Sequence, residues 1–286
     1  MDSGGKTALT PGLFAGGGRM GERMAAYDWA ASPLGPPETW PQGLKAVIRI
    51  MLTSRYAMWM GWGPDLTFFC NDAYAPTLGV KVDRAIGAPA SKVWAEIWED
   101  VLPLVDKVIG AGQSTYDEGL LLFLERSGFP EETYHTFSYS PVFDDAGAVE
   151  GLFCVVVEET ERLIDARRLN TLRELSARTV GARSVADACA RATEGLSANR
   201  KDVPYALIYL VDSDRRVLHL CGASGLEPPH PSAPSDVPLD HPEFPELGQA
   251  MATGETIVCQ IAPARRDQLP LHADGWDSRP ERSAIV

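Results

Sequence analysis

Residues Glu150–Val180 read EGLFCVVVEETERLIDARRLNTLRELSARTV, an apolar strand that runs into a charged helix with no Gly or Pro between them. Leu152 to Val157 is apolar without a break, the pattern of a central strand covered on both faces. Glu159-Thr160-Glu161 follows directly, and leucines at 163, 169, 172 and 175 then recur among alternating charges. A strand continuing rigidly into a helix that leaves its domain suits the mechanical output of a sensor rather than a substrate site.

The flanking sequence sets that strand in an antiparallel sheet. Upstream, Tyr56–Trp62 and Leu66–Cys70 read as a hairpin turned by Gly63-Pro64-Asp65. Short helical stretches follow at Asp72–Leu78 and Ala90–Trp98, then a longer helix over Val101–Ala111. Thr115–Leu124, Thr133–Val142 and Gly151–Val157 complete the strands. Runs of strands separated from runs of helices mean α+β, not a parallel doubly wound fold. Before the hairpin lies a Pro-punctuated preamble with an amphipathic helix over Gly43–Ser54, and Met1–Gly21 is Gly-rich and polar, the composition of a disordered tail.

Composition excludes several functions. The chain has 286 residues, enough for two domains, and a formal net charge of −13, which argues against nucleic acid or an anionic membrane as partner. No uncharged apolar run approaches the about eighteen residues of a membrane span. Five cysteines, at 70, 154, 189, 221 and 259, are scattered without C-x-x-C spacing, as expected of free thiols in a reducing cytoplasm.

Asn71-Asp72-Ala73-Tyr74 before Leu78-Gly79, Ile86-Gly87, Tyr139-Ser140-Pro141-Val142, and the exit Glu159-Thr160-Glu161-Arg162 form an ordered set. Together they resemble a PAS domain over roughly residues 56–161, and the DW…SPLGPP…WP preamble resembles the N-terminal cap of such domains in bacterial hybrid sensor histidine kinases. The resemblance implies a PAS-type five-stranded antiparallel sheet with flanking helices. Downstream, PYALIYLVD…RRVLHLCGASGL and GQAMATGETIV resemble the opening of a GAF domain, with Ser283–Val286 as the start of a further strand and the family's closing elements missing. The expected layout is a tail at 1–25, a helical cap at 26–55, a PAS domain at 56–160, a linker helix at 161–182 and a partial GAF domain at 183–286.

Candidate sites follow. Period-two alternation selects Met58, Met60, Leu120, Leu122, Phe137 and Tyr139 as candidate lining of a pocket between the sheet and the long helix, against a core filled by the same residues. Trp94 and Trp98 at i,i+4 read as one packing stripe. Glu96, Glu99, Asp100 and Glu131-Glu132 read as solvated surface. Glu158–Arg162 and Glu174–Arg178 are expected as i,i+4 ion pairs. Glu159, Thr160 and Glu161 are assigned to signal transmission, and Thr160→Pro is expected to uncouple it. Among PAS ligands, a covalent flavin adduct is disfavoured because Cys70 ends a strand rather than sitting in the family's helical Asn-Cys-Arg-Phe run. Haem is disfavoured because Val101–Ala111 holds no His. A non-covalent small molecule remains. His219, Cys221, His230, His241 and Cys259 lack the spacing of a zinc set, and no phosphate loop, nucleophile motif or phosphoacceptor His pattern occurs. The expectation is a cytoplasmic, homodimeric sensory fragment without catalytic residues of its own, acting on downstream kinase domains of the same protein. The alternatives are a stand-alone PAS–GAF binding module, or the input region of a phosphatase or cyclic-dinucleotide enzyme.

Overall fold

In the computed structural model, which describes residues 12–270 and 282–286, strands β1 (Ala57–Trp62), β2 (Thr67–Cys70), β3 (Thr115–Leu124), β4 (Glu131–Phe143) and β5 (Val149–Glu158) form one antiparallel sheet. Its order is β2-β1-β5-β4-β3. This is the α+β sheet with flanking helices that the sequence implies. Two of its strands, β4 and β5, start two residues earlier than the apolar pattern alone marks, because Glu131-Glu132 already pair with β3 and Val149 with β4.

The helices are α1 (Gly18–Ala26), α2 (Gln42–Thr53), α3 (Ala75–Leu78), α4 (Val82–Ala85), α5 (Ala90–Val93), α6 (Trp98–Ala111) and α7 (Thr160–Thr179). Two layers enclose the β1–β2 hairpin. On one face Phe69 stacks on Trp29 of the preamble at 5.0 Å, and Trp40 meets both rings edge-on. On the other face Phe68 stacks on Trp59 at 5.2 Å. Offset and edge-on aromatic contacts of this kind add to the burial of their large apolar area.

Two expectations are corrected here. Residues 18–25, expected within a disordered tail, instead form most of helix α1, whose Met20 and Met24 are buried. Its glycines serve close approach rather than disorder. A Cβ on Gly21 would stand 2.6 Å from the Phe14 carbonyl oxygen, and Asp72 caps α1 by accepting from the Arg19 and Met20 amides at 3.0 and 2.7 Å. Residues 1–11 lie outside the described residues. Second, β5 is central but not equally covered. Leu152, Cys154 and Val156 are buried on one face, whereas Phe153 and Val155 are half-buried and Val157 is 46% exposed on the other.

Asn71 ties the hairpin to the preamble. Its Oδ1 accepts from the Met58 and Tyr74 amides at 3.1 and 3.2 Å, and its Nδ2 donates to the carbonyls of Met51, Ser54 and Tyr56. The β2 edge of the sheet is closed by the segment before α5: Phe68 N–H donates to Ala88 O, Gly87 N–H to Phe68 O and Ala90 N–H to Leu66 O. Among the described residues, no further strand pairs with the β3 edge, which carries a register shift between Asp117 and Leu120.

The chain divides into two units between Leu163 and Ile164. In the second, α8 (Val185–Ser197) packs on β6 (Ala206–Val211) and β7 (Val217–Ser224), and β8 (Asp236–Pro238) adds to β7. Gly222 of β7 faces the Cys189 carbonyl and the Thr193 side chain so closely that a Cβ would collide with Thr193. β8 lies in the Pro-rich stretch 227–245 and pairs antiparallel with β7. Ser184 caps α8 by accepting from the Asp187 amide, but Asp187 reaches back to the Arg183 amide rather than to Ser184's own. After α9 (Pro245–Thr253), β9 (Ile257–Gln260) and β10 (Arg282–Ile285) pair antiparallel as a separate ribbon, with α10 (Pro263–Arg266) between them in sequence.

Candidate functional site

Between the sheet and α6 lies a cavity of about 30 Å³, room for roughly one water molecule. Trp59, Tyr74, Trp94, Trp98, Phe137 and Tyr139 give it an aromatic wall, and Leu122, Leu124, Cys154 and Val156 complete the sheet side. Thr77 and His135 are among its polar lining groups.

Of the sequence candidates, Leu122, Phe137 and Tyr139 line this cavity, and Met58, Met60 and Leu120 do not. Trp59 faces the cavity, so its neighbours Met58 and Met60 point to the opposite face of β1. Met60 is paired with Phe69, on the preamble side. Leu120 sits where β3 shifts register, half-buried against the core. Trp94 and Trp98 both line the cavity but do not share a helix: α5 stops at Val93 and α6 starts at Trp98.

Of the acidic residues expected at the solvated surface, Glu99 and Asp100 are exposed, whereas Glu96, Glu131 and Glu132 are half-buried. Glu96 is half-buried and forms an ion pair with Lys81, itself 4% exposed. The Lys81 Nζ stands 3.9 Å from the Trp94 ring centroid, a cation–π contact on a cavity-wall residue. Burial lowers the Lys81 pKa, and Glu96 opposes that shift. Glu131 accepts from Arg126 Nε at 2.7 Å, and the same guanidinium holds both oxygens of Glu158 at 2.9 Å. Glu158 is therefore paired with Arg126 and not with Arg162. Arg162 turns instead to Glu159, while Glu174–Arg178 forms as expected at 3.4 Å. Neither Arg126 nor Lys81 carries a sequence motif, so only the folded chain reveals their roles.

The exit from β5 is latched to β4. Glu159 N–H donates to Tyr134 O at 2.8 Å, and Tyr134 N–H donates to Thr160 Oγ1 at 3.0 Å. Thr160 Oγ1 donates to Glu158 Oε1 at 2.9 Å, and Thr136 Oγ1 donates to Glu159 Oε2 at 2.5 Å. That short charge-assisted bond is the main cause holding the Glu159 carboxyl below its ordinary pKa. Glu161 is exposed. Glu159 and Thr160 make the latch, and Glu161 takes no part in it.

His135 is 3% exposed, and its Nε2 lies 3.1 Å from Thr133 Oγ1. Thr133 spends its single hydroxyl proton on Leu122 O at 2.8 Å. The Nε2 must therefore donate, which leaves Nδ1 with its lone pair in the neutral ring. Burial lowers the His135 pKa, Glu158 opposes the shift and Arg126 adds to it. Stability is accordingly expected to fall as pH drops below about 6.5, where the unfolded ring takes up a proton that the folded ring resists. Urea melts between pH 8 and 5 should show this slope in the wild type and a shallower one in His135→Gln.

Among the described residues, no group of His, Cys, Asp and Glu could hold a metal ion. Among them too, no helix is long and apolar enough to cross a membrane.

No protein-family model matches the chain, and no curated protein matches it. It is similar to the PAS domain of BvgS from Bordetella pertussis, with 19% identity, 46% of this chain and 97% of that chain covered, and a TM-score of 0.31. It is similar to a PAS domain from Colwellia psychrerythraea, with 13% identity, coverage of 42% and 98%, and a TM-score of 0.34. It is also similar to a sensory box sensor histidine kinase from Vibrio cholerae, with 12% identity, coverage of 36% and 81%, and a TM-score of 0.30. Likenesses at these scores carry no argument of their own, and the fold stands on the strand order and register of the sheet.

Proposed function

We propose that the chain is a PAS–GAF sensory input fragment that works as a homodimer in the cytoplasm and passes a change in the first sheet, through α7, to kinase domains of the same protein. The observation that carries this reading is the junction of β5 and α7. The strand ends at Glu158, the helix starts at Thr160, and the single residue between them is bonded to β4 through both its backbone and its side chain. A shift of β4 against β5 has a rigid path into the helix. The GAF part of the reading rests on the sequence resemblance of residues 183–286. The aromatic cavity is the site for a non-covalent small molecule in this scheme, which requires its wall to open beyond the present volume.

Leu169 and Leu172 of α7 are 48% and 60% exposed, spaced as adjacent a and d positions of a two-stranded seam. Sedimentation is expected to show a dimer, and Leu172→Glu a monomer. A monomeric wild-type chain would remove the two-helix lever. The transmission step has a sharper test than Thr160→Pro, because Thr160 is the first residue of α7, where proline is accommodated. Thr160→Val keeps the shape and removes the hydroxyl. Hydrogen exchange in the first turn of α7 and at Tyr134 is expected to rise roughly fivefold, the effect of about 1 kcal/mol, with β1 and β5 unchanged. Unaltered protection there would mean that Thr160 is not a latch.

A further inference from the structure

We propose that His135 is a proton-operated positioning residue, linking the cavity to the start of α7 by drawing the Glu158 carboxylate away from Arg126 and Thr160. This rests on reading the β5–α7 junction as the output of the first unit, and it names what moves that junction.

The geometry puts one carboxylate between two claims. His135 and Glu158 are direct partners across the β4–β5 pair, so their side chains leave the sheet on the same face. In the neutral state Nε2–H of His135 is committed to Thr133 and the ring carries no charge. Glu158 is then held by Arg126 on both oxygens and by the Thr160 hydroxyl on one. A proton from solution adds to the Nδ1 lone pair, forming one N–H bond and exchanging no electrons. The ring then becomes a buried cation with Glu158 as its cross-strand carboxylate.

The ring is buried while the Glu158 side chain is 30% exposed, so water screens the attraction only in part, and a carboxylate engaged by the ring has less acceptor capacity left for Arg126 and Thr160. Thr160 Oγ1 also accepts from the Tyr134 amide, so the disturbance lands on the hydrogen bond that fastens the helix start to β4.

The groups surrounding the ring support that direction. Glu158 faces it from β5 and Arg126 from the turn between β3 and β4. Tyr74, Tyr139 and Cys154 share the cavity wall, and burial pushes all three pKa values up, so they stay neutral while the ring titrates. Arg126 is the competitor for Glu158 and repels the imidazolium, which makes the two arrangements exclusive.

The test uses the full chain labelled with ¹⁵N and titrated from pH 8 to 5. The His135 ring resonances are assigned by their loss in His135→Gln. Exchange protection at the Tyr134 amide, corrected for the intrinsic pH dependence of exchange, is expected to fall about tenfold as the His135 ring protonates, a change of about 1.4 kcal/mol. Amides of the β1–β2 pair should keep their protection. In His135→Gln the pH dependence at Tyr134 should vanish. In Glu158→Gln the ring should still titrate while Tyr134 no longer responds, so the measurement stands even where one variant folds poorly.

A ring that stays neutral down to pH 5, unchanged Tyr134 protection across the ring's titration, or a response that persists in His135→Gln would each overturn the proposal. A monomeric chain, or an α7 indifferent to Thr160→Val, would sink the output reading while leaving the ring titration and its effect on Tyr134 intact.

Discussion

Asn71→Ala is expected to lower the melting temperature of the first unit by roughly 10 °C, the equivalent of about 3–4 kcal/mol. Asn71 is 1% exposed and uses both ends of its amide. Truncation leaves the Met58 and Tyr74 amides without their acceptor, and the carbonyls of Met51, Ser54 and Tyr56 without their donor. Several of these groups are buried, and each such orphan costs about 1–3 kcal/mol, partly offset where water enters. Asn71→Asp separates the two ends. It keeps the acceptor for Met58 and Tyr74 but sets a carboxylate against three carbonyl oxygens, so it should be at least as damaging at neutral pH. Its deficit should shrink as pH falls and the carboxyl is protonated. Thermal melts of both variants by circular dichroism decide the matter, and an Asn71→Ala loss below about 1 kcal/mol would show that the amide is dispensable.

Gly79→Ala should cost about as much, for a different reason. Gly79 has φ +54 and ψ −123, a conformation that residues with a Cβ avoid at about 1–3 kcal/mol. An added Cβ would also land on the carbonyl oxygen of Arg126, which the Val80 amide uses at 2.9 Å. The clash is with backbone, so it cannot be relieved by a rotamer change. Relief requires Arg126 to move, and Arg126 holds Glu131 and Glu158. Gly79→Ala is therefore expected to lower stability by roughly 3–4 kcal/mol and to loosen the Tyr134 amide as Thr160→Val does. Gly128→Ala is the control. Its φ is +87 with nothing within 4 Å of the added Cβ, so it reports the backbone strain without the collision. Equal losses in the two alanine variants would show that the Arg126 contact is unimportant.

The sequence shows the sheet more clearly than the site. Strand positions follow from alternation and turn residues, and the unbroken run from Leu152 into α7 is visible residue by residue. What alternation leaves open is which face turns inward. Met58 and Met60 are as apolar as Trp59, and β1 is covered on both faces, so only the aromatic layers around it settle the parity. On β3, Leu120 and Leu122 lie past the register shift and share one face, opposite His135 and Thr133, and alternation does not show that the cavity reaches Leu122 and stops short of Leu120. The glycines of α1 read as disorder because a single sequence shows low helix propensity but not the Phe14 carbonyl that Gly21 must admit. Glu96 and Glu131 look solvated because their partners, Lys81 and Arg126, stand fifteen and five residues away, and neither spacing follows a helix or strand period. Long-range pairing of charges leaves no periodic trace.

The closure of the β2 edge has a consequence for how copies of this chain can associate. Strand addition needs an open row of amides and carbonyls, and the segment Gly87–Ala90 already occupies that row on one side. Growth could proceed only from β3, where the register shift bends the strand and Asp117 and Glu118 place negative charge beside the exposed Tyr116. Two copies could meet edge to edge through β3, but the outer edge of each would then be β2, and a third copy would find nothing to add to. The first unit is thus built against runaway polymerisation: any edge-to-edge stacking of its sheets ends at a pair.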